Sequence, residues 1–115
     1  MGLDFSHTEA SWSYSGFMRF RTRLAKEIGI NLREMRGLGD SGVLSWDKII
    51  DPIKPLLDHS DCEDDLSPNE CMKIAPRMRE LVSDWDDDDY DKIQALLLAD
   101  GMELAGSRNE SLQFR

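Results

Sequence analysis

Oxygen-bearing side chains recur at alternate positions in one acidic segment and are followed, three residues further on, by a glutamate. The set comprises Asp61, Glu63, Asp65, Ser67 and Glu70. Hard cations such as calcium prefer carboxylate, hydroxyl and carbonyl oxygens, and a final glutamate can bind calcium through both of its oxygens. The spacing therefore predicts, as one alternative, a divalent-cation site with calcium as the cofactor.

The segment His59–Glu70 resembles the calcium loop of an EF-hand. In this frame the five residues fall at ligand positions, with Asp65 contributing its carbonyl oxygen. His59 stands where an aspartate is expected, and Asp64 stands where a glycine makes the sharp turn, so we expect weakened calcium binding. A frame that begins one residue earlier restores the first ligand and loses two later ones. The resemblance implies an EF-hand-like helix–loop–helix over residues 46–84.

The end of the same segment, Ser67-Pro68-Asn69-Glu70, also has the pattern of a helix capping box with proline at the first helical position. Capping and calcium binding use the same serine and glutamate. The pattern leaves both interpretations open.

Soft ligands raise a separate possibility, because His7, His59, Cys62 and Cys71 could together hold zinc. Their spacing is not that of a usual zinc knuckle, and Cys71 falls on the apolar stripe of a predicted helix, where a thiol behaves as a small hydrophobe. Two cysteines are too few for a disulfide scaffold. Whether they pair is left open.

A second acidic cluster lies near the start of the last predicted helix and contains Asp84, Asp86, Asp87, Asp88, Asp89 and Asp91. Acids at the amino end of a helix interact favourably with its dipole, which is an ordinary structural role. The density of charge also suits a surface that binds a basic protein. We predict that these six residues form a partner-binding surface.

The chain has 115 residues and a formal net charge of −9, which arises from 14 basic and 23 acidic residues. Residues 1–36 carry +2, and residues 37–115 carry −11, as counted from the sequence. This distribution disfavours direct binding to nucleic acid or to anionic lipid and favours a basic protein partner. The oligomeric state is left open.

Apolar periodicity predicts a single, mainly α domain over residues 1–115, built as a bundle of about four helices. The first helix, about residues 15–28, carries a basic face and ends before Gly29. The second, within residues 46–57, is split so that Asp51 caps a new helix starting at Pro52. The third follows Ser67, and the fourth runs from about residue 88 to 105 and is apolar on several sides, which indicates a central position.

No phosphate loop, nucleophile elbow, zinc-protease motif or dinucleotide fingerprint occurs in the chain, so we predict a non-enzymatic protein with no catalytic residues. A pocket for a small ligand near His7 and Trp12 is a further alternative. No segment is long and apolar enough for a membrane span, and no secretory signal is evident. We expect a cytoplasmic location.

Several short motifs resemble a small uncharacterised family of bacteriophage and bacterial proteins. These motifs are Met1-Gly2-Leu3-Asp4 with His7, Trp12-Ser13-Tyr14-Ser15-Gly16-Phe17, Arg19-Phe20-Arg21, Trp46-Asp47, His59-Ser60-Asp61-Cys62 and Ala75-Pro76-Arg77. The family pattern looks more like Asp-Gly where this chain has Glu63-Asp64, which weakens the calcium interpretation. The resemblance implies a bacterium or a phage-infected host cell and supplies no activity.

The acidity of the chain and the bacterial or phage setting implied by the resemblance lead to one functional hypothesis. We predict a non-enzymatic interaction or regulatory module, one form of which is a phage-encoded modulator of a host defence or nucleic-acid-binding protein. The EF-hand-like calcium-binding protein and the small-ligand-binding protein are the alternatives.

Overall fold

Four helices and two pairs of short strands make up the part of the chain that the structure, a computed structural model, describes: residues 2–31, 50–57 and 65–114. In chain order the elements are β1 (Gly2–Asp4), β2 (Ser11–Ser13), α1 (Tyr14–Glu27), α2 (Lys54–Leu57), β3 (Asp65–Leu66), α3 (Pro68–Val82), α4 (Tyr90–Ser107) and β4 (Leu112–Gln113). Helix accounts for 58 % of the described residues, which confirms a mainly helical domain with four helices.

Helix α1 begins and ends at signals that are readable in the sequence. The Ser13 hydroxyl accepts a hydrogen bond from the Gly16 backbone N–H at 3.0 Å. At the other end Gly29 has a positive φ of 79°, and the Ile30 N–H returns to the Ala25 carbonyl at 2.9 Å, which is a Schellman-type ending. The predicted helix and its glycine stop are confirmed, and its buried face includes Phe17, Phe20 and Leu24.

Helix α2 is shorter than the sequence pattern predicts. An Asp51 carboxylate oxygen accepts from the Ile53 N–H at 3.0 Å, and a turn through Pro52 leads into the four-residue helix Lys54–Leu57. Asp51 does cap this turn, but the helix begins at Lys54 and not at Pro52. Residues 46–49, the first part of the entering helix of the predicted EF-hand-like unit, lie outside the described residues.

Helices α3 and α4 pack along one another, and small residues set their separation. Ala95, Ala99 and Ala105 of α4 are fully buried. A Cβ on Gly106 would meet the Met72 side chain and would lie 3.3 Å from the Pro68 carbonyl oxygen, so this glycine permits the close approach of the two helices.

Gly101 has a different neighbour from the one its sequence context indicates. A glycine inside a helix pattern predicts the close approach of another helix, and for Gly101 this prediction is wrong. A Cβ at this position would lie 2.6 Å from the Thr8 Cβ and 3.0 Å from the His7 carbonyl oxygen. The N-terminal segment, not a helix, therefore lies against Gly101.

The strands bring the two ends of the described chain together. β1 pairs antiparallel with β2, β3 pairs antiparallel with β4, and an isolated bridge joins Phe5 to Phe114. Strands of two or three residues carry too little alternation of apolar and polar residues to be recognised in the sequence. Five aromatic rings cluster inside this frame, belonging to Phe5, Trp12, Phe17, Phe20 and Phe114.

Candidate functional site

The predicted partner-binding acids lie where α3 ends and α4 begins. Asp84, Asp86, Asp87 and Asp88 occupy the connection, which we call the acidic turn (residues 84–88). Asp89 is the N-cap of α4, and its carboxylate accepts from the Asp91 N–H at 2.9 Å and the Lys92 N–H at 3.4 Å. A negative charge at this position satisfies free backbone donors and interacts favourably with the helix dipole.

Arg23 of α1 forms ion pairs with the carboxylates of Asp89 and Asp91. Its guanidinium donates to both oxygens of Asp89 at 3.0 Å and to Asp91 at 2.8 Å. It also lies 3.7 Å from the centre of the Trp85 ring. The hydrogen bond from Arg23 lowers the pKa of Asp89 below its ordinary value, against the opposing effect of burial. The Trp12 indole N–H donates to the other oxygen of Asp91 at 3.0 Å. These two acids therefore join α1 to α4.

A buried lysine, Lys92, forms hydrogen bonds that support the acidic turn. Lys92 Nζ donates to the backbone carbonyls of Ser83 at 3.3 Å and Trp85 at 2.9 Å, and to the Asp87 carboxylate at 2.8 Å. The hydrogen bond and charge of Lys92 lower the pKa of Asp87. The Asp87 side chain is nevertheless fully exposed, so this carboxylate still faces solvent.

The other three acids of the turn have a different environment. Asp84, Asp86 and Asp88 are exposed, and no ion pair formed within the described part of the chain includes them. The structure thus divides the six predicted residues. Two are partly buried and paired with Arg23, one is paired with the lysine that supports the turn, and three present charge outward.

The calcium alternative falls partly on described residues. Asp61 and Glu63 lie outside them, and Asp65 is an exposed residue of β3. Ser67 and Glu70 form the capping box of α3: the serine hydroxyl accepts from the Glu70 N–H at 3.2 Å, and the glutamate accepts from the Ser67 N–H at 3.0 Å. Within residues 2–31, 50–57 and 65–114, no group of three or more side chains could hold a metal ion.

We expect Glu70→Gln to leave the stability of the domain nearly unchanged, because an amide oxygen can still accept from the Ser67 N–H. Glu70→Ala is expected to lower the free energy of unfolding by about 1 kcal/mol. Urea unfolding of both variants measures this difference. In calorimetric titrations we expect millimolar calcium to release no heat with either wild type or Glu70→Gln. Calcium binding by the wild type that Glu70→Gln abolishes would instead assign Glu70 to a cation site.

Of the four residues that could together hold zinc, Cys71 and His7 are described, and they lie in different parts of the fold. Cys71 is fully buried on α3, its thiol donates weakly to the Leu66 carbonyl at 3.8 Å, and burial raises its pKa to about 11. His7 has a positive φ of 67° and bridges the Ser6 hydroxyl, at 2.7 Å, and the Glu110 carboxylate, at 2.9 Å. His7 thereby connects the N-terminal segment to the end of the described chain.

A cleft of about 480 Å³ opens beside Trp12, between the amino ends of α1 and α4. Its lining includes Arg19, Tyr90 and the paired acids Asp89 and Asp91, but not His7. This cleft lies on the Trp12 side of the region in which the pocket near His7 and Trp12 is predicted. Arg23 already occupies the two carboxylates, so Arg19 is the exposed cation at this cleft.

Sequence reasoning missed two features of this region. It did not identify Arg23 and Lys92 as the specific partners of these acids, because that pairing is fixed only by packing. It also placed α4 at a central position, whereas Ile93, Leu96 and Leu104 are exposed. The small residues of α4 carried a usable signal, since alanines at helical spacing mark the face that packs closely on another helix.

Comparison with protein-family models, with curated protein sequences and with solved structures finds no match for this chain.

Proposed function

We propose that this chain is a non-enzymatic protein-interaction module that binds a basic segment of a partner protein through the acidic turn. The observation that supports this most directly is the outward charge of Asp84, Asp86 and Asp88, which no cation of the described chain neutralises. Carboxylates used for folding elsewhere in this region are paired with Arg23 or Lys92. The unpaired ones cost the fold electrostatic repulsion that a basic partner would relieve.

The backbone of the turn is held in place before any partner arrives. Lys92 Nζ donates to the Trp85 carbonyl within the turn and to the Ser83 carbonyl just before it, and the Asp89 N–H donates to the Asp86 carbonyl at 3.0 Å. A surface that is already ordered loses less conformational entropy on binding. The formal net charge of −9 adds long-range attraction, which raises the rate of association with a basic protein.

A modulator of a host defence or nucleic-acid-binding protein is one form of this proposal. Proteins that bind nucleic acid carry basic surfaces, and a compact acidic protein competes for such a surface. The phage or bacterial setting follows only from the sequence resemblance described above. Direct binding of this chain to nucleic acid is disfavoured by its charge.

A capture experiment with charge-matched variants tests the proposal. Immobilised wild type, Asp86→Asn/Asp88→Asn and the control Asp4→Asn/Glu9→Gln are each exposed to a bacterial lysate, and retained proteins are identified by mass spectrometry. Both variants remove two exposed acids. We expect a basic protein to be retained by wild type and control and to be lost with Asp86→Asn/Asp88→Asn. Equal retention by both variants would contradict a role for the acidic turn.

A further inference from the structure

Helix α4 exposes large apolar side chains on the face that α3 does not cover. The exposed fractions are 56 % for Tyr90, 42 % for Ile93, 37 % for Leu96 and 39 % for Leu104. We call these four residues the α4 stripe. Helical spacing places Ile93, Leu96 and Leu104 on one side of the helix, while the alanines that pack on α3 lie on the other. A surface helix normally carries polar residues opposite its buried face, so an apolar stripe here marks a surface suited to binding.

The charges around the α4 stripe differ between its two ends. Asp100 lies within the stripe region, but Arg79 of α3 donates to it at 2.6 Å and also pairs with Glu103. These acids are therefore largely neutralised. The acidic turn lies just before Asp89, the N-cap of α4, and presents Asp84, Asp86 and Asp88 without such a partner in the described chain. The surface is thus apolar along α4 and negative at its amino end.

This inference rests on the proposed function and names the form of the partner. We infer that the partner segment is an amphipathic helix whose apolar side packs on the α4 stripe and whose basic residues lie over the acidic turn. From Ile93 to Leu104 the stripe spans roughly 17 Å along the helix axis. A partner helix of about four turns covers the stripe together with the acidic turn.

A second copy of this chain fits the same surface poorly. Two copies would each bring a formal net charge of −9 and an acidic turn, so charge opposes their association. Stable dimers bury on the order of 800 Å² on each subunit. Four side chains that are each already about half covered offer much less apolar area than that.

Binding of a synthetic peptide tests the inference. The probe is a labelled amphipathic peptide of leucine and lysine with leucines at helical spacing, compared with an isomer of the same composition in scrambled order. The variant Ile93→Ser/Leu104→Ser removes apolar groups from the stripe. The control Ile50→Ser/Met72→Ser removes two exposed apolar side chains elsewhere, and fluorescence anisotropy gives the affinities.

We expect the stripe variant to bind the amphipathic peptide about tenfold more weakly than wild type, and the control to stay within about twofold. We expect wild type to bind the scrambled peptide as weakly as the stripe variant binds the amphipathic peptide. Circular dichroism confirms that each variant is folded.

The outcomes separate this inference from the proposed function. If Asp86→Asn/Asp88→Asn weakens peptide binding and the stripe variant binds as wild type does, the helix-docking inference is wrong and the acidic turn keeps its role. If neither variant weakens binding, both proposals fail. Sedimentation equilibrium adds one more outcome: a wild-type dimer that Ile93→Ser/Leu104→Ser dissociates would assign the stripe to a second copy and overturn the inference.

Discussion

Trp12→Ala is expected to lower the free energy of unfolding by about 4 kcal/mol, measured by urea denaturation followed by circular dichroism. The indole is 3 % exposed and stacks on Phe20, with ring centres 4.6 Å apart. It also contacts the Phe5 ring edge-to-face at 6.0 Å. Truncation removes a large buried apolar area and leaves a cavity between β2 and α1, which the surrounding helices cannot fully close.

The indole N–H contributes separately, and Trp12→Phe isolates its effect. Phenylalanine keeps much of the ring packing but leaves one oxygen of Asp91 without its donor. We expect a loss of about 1–2 kcal/mol for this variant. A loss below about 1 kcal/mol for Trp12→Ala would contradict the central place of this ring in the core.

Gly101→Ala is expected to destabilise the protein by about 2 kcal/mol, although alanine is normally the better helix former by about 1 kcal/mol. The new Cβ would lie 2.6 Å from the Thr8 Cβ and 3.0 Å from the His7 carbonyl oxygen. Thr8 cannot move away at no cost, because its hydroxyl donates to the Leu97 carbonyl at 2.8 Å. The same urea titration measures the sign of the effect.

A double-mutant cycle with Thr8→Gly tests the cause of this effect. Removing the Thr8 side chain takes away the closest contact, so Gly101→Ala should cost much less in the Thr8→Gly background, or become stabilising. The interaction free energy between the two substitutions is expected to be about 1–2 kcal/mol. Additive effects would show that the Thr8 side chain does not press on Gly101.

The two ends of α1 and the start of α3 were predictable because they depend on neighbours in the chain. Ser13 and Ser67 cap helices through backbone donors three residues away, and Gly29 ends α1 through bonds that span five residues or fewer. Such interactions leave clear local signals. The short strands left none, since β1 and β3 depend on partners that packing brings close.

The candidate site was only partly predictable for the same reason. The acidic cluster is evident in the sequence, but the sequence does not show which of its acids are paired within the fold and which face outward. Arg23 selects Asp89 and Asp91 across 66 and 68 residues of chain, and no local pattern encodes that choice. The exposed face of α4 was likewise missed, because its large apolar residues lie on several sides and only the spacing of its alanines indicates the side that α3 covers.

By itself, the sequence of this protein determined its acidity, its helical class and the starts of its main helices, because composition and short-range hydrogen bonding are local properties. Only the tertiary structure decided which acids are used internally and which face outward. A carboxylate is neutralised by whichever cation folding places within a few ångströms, and that cation lies on a different helix for Asp89 and one turn away for Asp87. For Asp84, Asp86 and Asp88, folding places no such cation in the described chain.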